Sequence, residues 1–175
     1  SPEPTPERSA APTALPQAAR GTWLAYGDSI THNAFLDLGG WAAAFGTVPA
    51  PDVRNAGIPG ATSRSALLRL DEVLAANPTA VQMGLAFGTN DAYSTIVPTA
   101  AFAGRMWLLV ERVEAAARKP VLARVPWSPH AQMALVPAYN AALTAIEAER
   151  GLPPGPDLYA WFEAHPDELN ADGIH

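Results

Sequence analysis

Short apolar runs that each stop at Gly, Asn or Pro, separated by longer stretches of helical period, leave this chain few architectures. Residues 22–26 (TWLAY) lead straight into Gly27-Asp28-Ser29. Residues 52–55 form a second run, 79–87 a third that ends in Gly88-Thr89-Asn90-Asp91, and 120–125 (PVLARV) a fourth; a weak fifth lies at 157–159. Runs this short, bounded by turn residues, have the pattern of strands buried on both faces. Between them, Leu67, Leu70 and Leu74 recur at i, i+3 and i+7 behind a cap at Thr62 or Ser63, and Asn77-Pro78 ends that helix. Phe102, Met106, Leu109, Val110 and Val113 repeat the stripe, with Arg118-Lys119 at its C-terminal end, where the helix dipole favours cations. Val136, Tyr139, Leu143 and Ile146 make a further stripe that Gly151 closes. Strand followed by helix, repeatedly, predicts parallel strands joined by right-handed crossovers with helices on both faces, a three-layer α/β/α domain.

The remaining composition narrows the function classes. A chain of 175 residues fits one domain with a real core. Its 49% hydrophobic and 16% charged residues are a globular balance. Against 17 acidic residues stand 11 Lys and Arg, a net charge of −6, and the basic residues nowhere cluster. Nucleic acid and anionic membrane surfaces are therefore poor partners. The longest apolar run, 106–110 on a helix face, is far short of the roughly 20 residues a bilayer span needs. With no cysteine there is neither a disulfide nor a thiolate metal site. Residues 1–20 are rich in Pro, Ala, Thr and Ser without hydrophobic period. They read as a tether of the kind left when a signal peptide is removed, which favours an exported protein whose folded domain spans 21–175; the plainer reading is a linker or a ragged domain edge.

In an open parallel sheet, reactive groups gather at the carboxyl ends of the strands beside the point where strand order reverses. Three segments here end strands in polar or glycine-rich turns: Gly27-Asp28-Ser29-Ile30, residues 55–60 (NAGIPG) and Gly88-Thr89-Asn90-Asp91. A fourth polar cluster, Asn170-Ala171-Asp172-Gly173-Ile174-His175, closes the sequence. Ser29 follows its strand through a Gly that lets the backbone turn sharply, but a serine hydroxyl needs a base within hydrogen-bond reach. His175 is the best base available, and Asp172, three residues earlier, can reach the far ring nitrogen to fix the tautomer and stabilise the imidazolium. A tetrahedral intermediate also needs donors aimed at its oxyanion, a role that the N–H groups of Ser29 and Gly60 and the amide of Asn90 suit. Taken singly, Gly-Asp-Ser is usually a turn, Asn90-Asp91 a helix cap, and Gly57 and Gly60 loop formers; four such segments on one sheet edge are hard to reach by chance.

Together these four segments resemble, in order and spacing, the conserved blocks of the SGNH (GDSL) hydrolases, over nearly everything from Thr22 onward. The resemblance implies a serine ester hydrolase with Ser29 as nucleophile, Gly60 and Asn90 as oxyanion donors beside the Ser29 N–H, and Asp172 and His175 completing the triad. It also implies a flavodoxin-like sheet of five parallel strands and chemistry without a metal or other cofactor. Two departures stand out. His32-Asn33 follow Gly-Asp-Ser-Ile-Thr where many relatives have Gly, and relatives continue beyond the histidine into a final helix, so a sequence trimmed after His175 is expected. No Gly-x-Ser-x-Gly elbow is present. His32, His130 and His165 are weaker rivals as base, and Asp28, Asp91 and His32 lack any recognisable metal-ligand spacing.

For the substrate, Phe35, Tyr93 and Trp127 follow strand ends closely enough to line a cleft mouth, with Asp28 a further contact, while Trp23, Trp41, Trp107 and Trp161 read as core. Trp127, in Pro126-Trp127-Ser128-Pro129, is balanced between the two. Short helices and loops with no hydrophobic lid insertion point to a shallow cleft and a small acyl group, as in an O-acetylated glycan. The rival readings are a non-catalytic carbohydrate- or lipid-binding module on the same fold, and a thioesterase, lysophospholipase or acyltransferase using the same triad.

Overall fold

A computed structural model describes residues 22–32 and 53–175. The segment 1–20, Phe35 and Trp41 lie outside the described residues. Four strands form one parallel sheet: β1 (Thr22–Gly27), β2 (Val53–Asn55), β3 (Ala80–Ala86) and β4 (Lys119–Leu122), in the order β2-β1-β3-β4. The chain leaves β1 toward β2 on one side and then returns to place β3 on the other. The carboxyl ends of β1 and β3 therefore flank the switch point, where an open α/β sheet builds its site.

Helices flank this sheet: α1 (Ser29–His32), α2 (Ser63–Ala76), α3 (Thr89–Tyr93), α4 (Thr99–Ala115), α5 (Val136–Arg150) and α6 (Leu158–Ala164), with 3₁₀ turns at Ala131–Leu135 and Pro166–Glu168. Thr62 caps α2 in a capping box with Ser65. Its buried line runs through Ser63, Ala66, Leu70 and Val73, one step round from the leucine stripe; Leu67 and Leu74 pack on the core only in part. Helix α4 buries Phe102, Met106, Leu109, Val110 and Val113 and lies against α2, α5 and β4. Beyond it, the Arg118 guanidinium donates to the carbonyls of Ala116 at 2.7 Å and Asn77 at 3.2 Å, while Lys119 opens β4. Helix α5 buries Val136, Tyr139, Leu143 and Ile146 and stops at Gly151, which is left-handed with φ 64°. Phe102 and Tyr139 stack with centroids 4.1 Å apart, and Tyr26 meets Phe87 edge-on at 4.9 Å.

One expected element is overturned. The run at 157–159 is not a fifth strand but the start of α6: the Asp157 side chain accepts the Ala160 N–H at 3.0 Å, and an acidic N-cap ahead of Leu-Tyr-Ala-Trp-Phe outweighs three residues of strand preference. No helix among the described residues is long and apolar enough to cross a membrane.

Candidate active site

Strand β1 delivers Gly27 to the switch point, and the chain must turn there at once. A Cβ on Gly27 would stand 2.1 Å from Thr31 Oγ1 and 2.8 Å from the Ala86 carbonyl, so only glycine permits the approach of β3 and α1. Asp28 follows, 2% exposed, with its Oδ1 accepting the Ile30 N–H at 2.9 Å. Burial pushes this carboxyl up to about 6, against the lowering pull of the Ile30 N–H and of nearby His175. Asp28 thus braces the turn from beneath and is not placed as the substrate contact expected of it. Ser29, half-buried, then opens α1.

The 55–61 loop is tied to this turn. The Asn55 amide donates to the Thr31 carbonyl at 2.8 Å, the Gly57 N–H to Asn55 Oδ1 at 2.8 Å and the Ile58 N–H to the Gly27 carbonyl at 2.9 Å. Gly60 is exposed with φ 75°, and the next carbonyl, that of Ala61, accepts the Asn90 side-chain amide at 3.0 Å. That bond uses one of the two amide hydrogens of Asn90 and leaves the other for an incoming acceptor.

For Asp91 the sequence predicts at most a cap on its own helix, and instead it caps another. Fully buried, it accepts the Ser63 backbone N–H at 2.8 Å and the Ser63 hydroxyl at 2.5 Å, with the Arg105 guanidinium 3.6 Å away. It therefore fastens the start of α2, just past Gly60, to the start of α3, which carries Asn90. A carboxylate at the opening N–H of a helix is also favoured by the helix dipole.

At the far end of the chain, His175 Nδ1 lies 2.6 Å from Asp172 Oδ2, and His175 Nε2 lies 2.9 Å from Ser29 Oγ. Asp172 Oδ1 accepts the N–H groups of Ile174 at 2.9 Å and His175 at 3.0 Å. Burial works to raise the Asp172 carboxyl, but these hydrogen bonds together overcome it and hold the group at about 2. Asp172 is thus anionic, so Nδ1 donates to it and Nε2 is left to accept from the Ser29 hydroxyl.

The structure thus brings Ser29, Asp172 and His175 into one hydrogen-bonded line, with Asn90 tied to Ala61, the residue after Gly60. Of the rival bases, His32 is exposed at the end of α1, and His165 stacks on Trp161 with its Nδ1 2.8 Å from the Trp161 carbonyl. His130 Nε2 lies 2.7 Å from the Asp172 carbonyl oxygen, and its ring meets Tyr93 edge-on at 5.2 Å. Tyr93 is exposed and Trp127 half-buried. Trp161, expected in the core, is 51% exposed, its indole N–H donating to Glu168 at 2.8 Å. Two shallow concavities of about 180 Å³ are formed by described residues: one takes in Gly60, Pro59 and Ile58, the other Trp127, Ser128, His130 and Tyr159.

Residues 25–175 match the GDSL-like lipase/acylhydrolase family. The chain belongs to that family. This GDSL-like acylhydrolase is accordingly a carboxylic ester hydrolase. Among solved structures it is similar to TesA, at 26% identity over 88% of each chain with a TM-score of 0.74. It is similar also to the acetylxylan esterase Axe2 from Geobacillus stearothermophilus, at 21% identity over 89% of this chain and 86% of that one, TM-score 0.75. The SGNH-hydrolase family esterase AlinE4 shares 18% identity over 93% of this chain and 88% of its own, TM-score 0.76. These likenesses match the α/β fold of the SGNH hydrolases. No curated protein matches the sequence.

Proposed function

We propose that this ester hydrolase works through an acyl-enzyme formed on Ser29 and that its substrates carry short acyl groups, such as the O-acetyl groups of glycans. The observation that carries the reading is the unbroken line from Ser29 Oγ through the His175 ring to Asp172, at 2.9 and 2.6 Å. Ser29 Oγ attacks the ester carbonyl while His175 Nε2 takes its proton, and Asp172 stabilises the imidazolium. The carbonyl oxygen becomes an oxyanion that the N–H groups of Ser29 and Gly60 and the second amide hydrogen of Asn90 receive. Collapse expels the alcohol, which leaves with the proton from Nε2, and the acyl group stays on Ser29. Water then attacks that ester, giving its proton to Nε2, and the second collapse frees the acid and returns the proton to Oγ.

The preference for a short acyl group is supported by the sequence, whose helices and loops are short and carry no hydrophobic insertion long enough to form a lid. The test is hydrolysis of p-nitrophenyl acetate, butyrate and octanoate by wild type and by Ser29→Ala. Activity that favours acetate and falls by at least about 10³-fold in the variant is expected. Equal rates in the two proteins would remove Ser29 from the reaction, and a preference for octanoate would overturn the short-acyl reading.

A further inference from the structure

We propose that His130 is a positioning residue for hydrolysis, locking the loop that carries Asp172 and His175 to the helix that carries Asn90. The proposal rests on the assignment of Ser29, Asp172 and His175 given above.

The 170–175 loop is closed largely on itself. The Gly173 N–H donates to the Asn170 carbonyl at 2.8 Å, the Asn170 N–H to the His175 carbonyl, and Asp172 Oδ1 takes two N–H groups from the residues that follow it. Such bonds fix the shape of the loop, while its place relative to Ser29 depends on contacts that leave the loop, among them the packing of Ile174 on the core. Proton transfer depends on that placement, because a misplacement of about 1 Å can cost about 10²-fold.

His130 supplies an outward tie. Its Nε2 stands 2.7 Å from the Asp172 main-chain oxygen, which can only accept, so Nε2 carries the hydrogen. That assignment holds for the neutral ring and for the imidazolium alike. With Nε2 so occupied, His130 acts on the loop and not on the Ser29 proton. The ring approaches closely because the loop has a glycine at its tip: a Cβ on Gly173 would lie 3.1 Å from His130 Nε2 and 3.2 Å from Pro129 Cγ, and φ there is +66°. On its other side the ring rests edge-on against Tyr93, the last residue of α3, three positions after Asn90. His130 is itself held, its carbonyl accepting the Met133 N–H at 2.9 Å. One imidazole therefore contacts both the base loop and the oxyanion helix, which lie about 80 residues apart in the sequence.

The experiment compares wild type with His130→Ala, His130→Leu and His130→Gln, reading kcat and KM on p-nitrophenyl acetate and the rate of covalent labelling by a fluorophosphonate. Leucine keeps the bulk without a donor and serves if the alanine variant does not fold, while the glutamine amide can reach the same carbonyl. The expected result is a kcat about 10- to 100-fold lower in the alanine and leucine variants with KM little changed. Labelling should slow by the same factor, and His130→Gln should recover most of both. An unchanged kcat in the leucine variant would overturn the proposal. So would a rise in KM alone, which would make His130 a substrate contact, or a folded glutamine variant as slow as leucine. Ser29→Ala is read alongside: residual Ser29-independent activity would remove the triad assignment, whatever His130 does.

Discussion

Ser29 stands on the sheet, whereas Asp172 and His175 stand on a turn. Around Ser29, bonds come from β1, β2, β3 and α2, and the polar groups that organise them, Asp28 and Asp91, are almost wholly buried. Around His175 the bonds within the loop span two to five residues, the long-range tie from His130 apart, and the Asp172 side chain is 45% exposed. The side of the proposed nucleophile and oxyanion donors is thus fixed by the same contacts that fold the domain, while the side of Asp172 and His175 is shaped mostly by local hydrogen bonds. Damage to the first should therefore appear as lost stability together with lost rate, and damage to the second chiefly as lost rate.

The largest separation of the two effects is expected for Asp172→Asn. An amide facing Nδ1 holds the imidazole in the wrong tautomer, so kcat should fall by about 10⁴-fold while the melting temperature falls only modestly, by the loss of one partly exposed carboxylate. A large drop in melting temperature would break the contrast. On the other side, Asp91→Ala strands the Ser63 N–H and hydroxyl and leaves Arg105 without its partner. Urea unfolding should show a loss of roughly 3 kcal/mol, with activity falling as well. Asn90→Ala removes the proposed oxyanion donor and the tie to Ala61, and kcat should drop by about 10²–10³-fold with KM little changed.

A pH-dependent effect separates two carboxylates shifted in opposite directions. Asp28 sits at about 6 in the folded chain against an ordinary 3.8, so the native state holds an extra proton between those values and loses stability as pH rises from one to the other. Asp28→Asn, which lacks that titration, should gain on wild type between about pH 4 and pH 7.5, by at most about 3 kcal/mol in unfolding free energy. Asp172, lowered to about 2, runs the other way: its contribution is in place above 3.8 and fades as pH falls toward 2. A stability difference between Asp28→Asn and wild type that stays flat across this range would show that Asp28 is not desolvated.

What the sequence makes legible is what short-range pattern can carry. The glycine before Ser29, the Asn55–Gly60 turn, the Asn90 position and the three-residue spacing of Asp172 and His175 are local signals, and the structure brings those segments together at the switch point. The buried stripes of α4 and α5 are readable for the same reason, since a helix repeats its face every few residues. The misreadings have local causes as well. Residues 157–159 are too few to distinguish a strand from a capped helix, and Trp161 reads as core from residue type alone although it faces outward. The parts with no signature are the long-range bonds. Asp91 meets Ser63 across 28 positions and His130 meets Asp172 across 42, distances over which no periodicity runs.

The three-residue spacing of Asp172 and His175 has a mechanical consequence. Because the carboxylate also holds the histidine's own backbone N–H, the pair moves as one rigid lever. Drift of the loop then changes chiefly the gap between Nε2 and Oγ, while the contact between ring and carboxylate is kept. In arrangements whose acid and base lie on separate elements, the same drift would disturb both at once. Here the turnover should fluctuate with one distance, so tethering the loop by a single well-placed contact is enough to steady it.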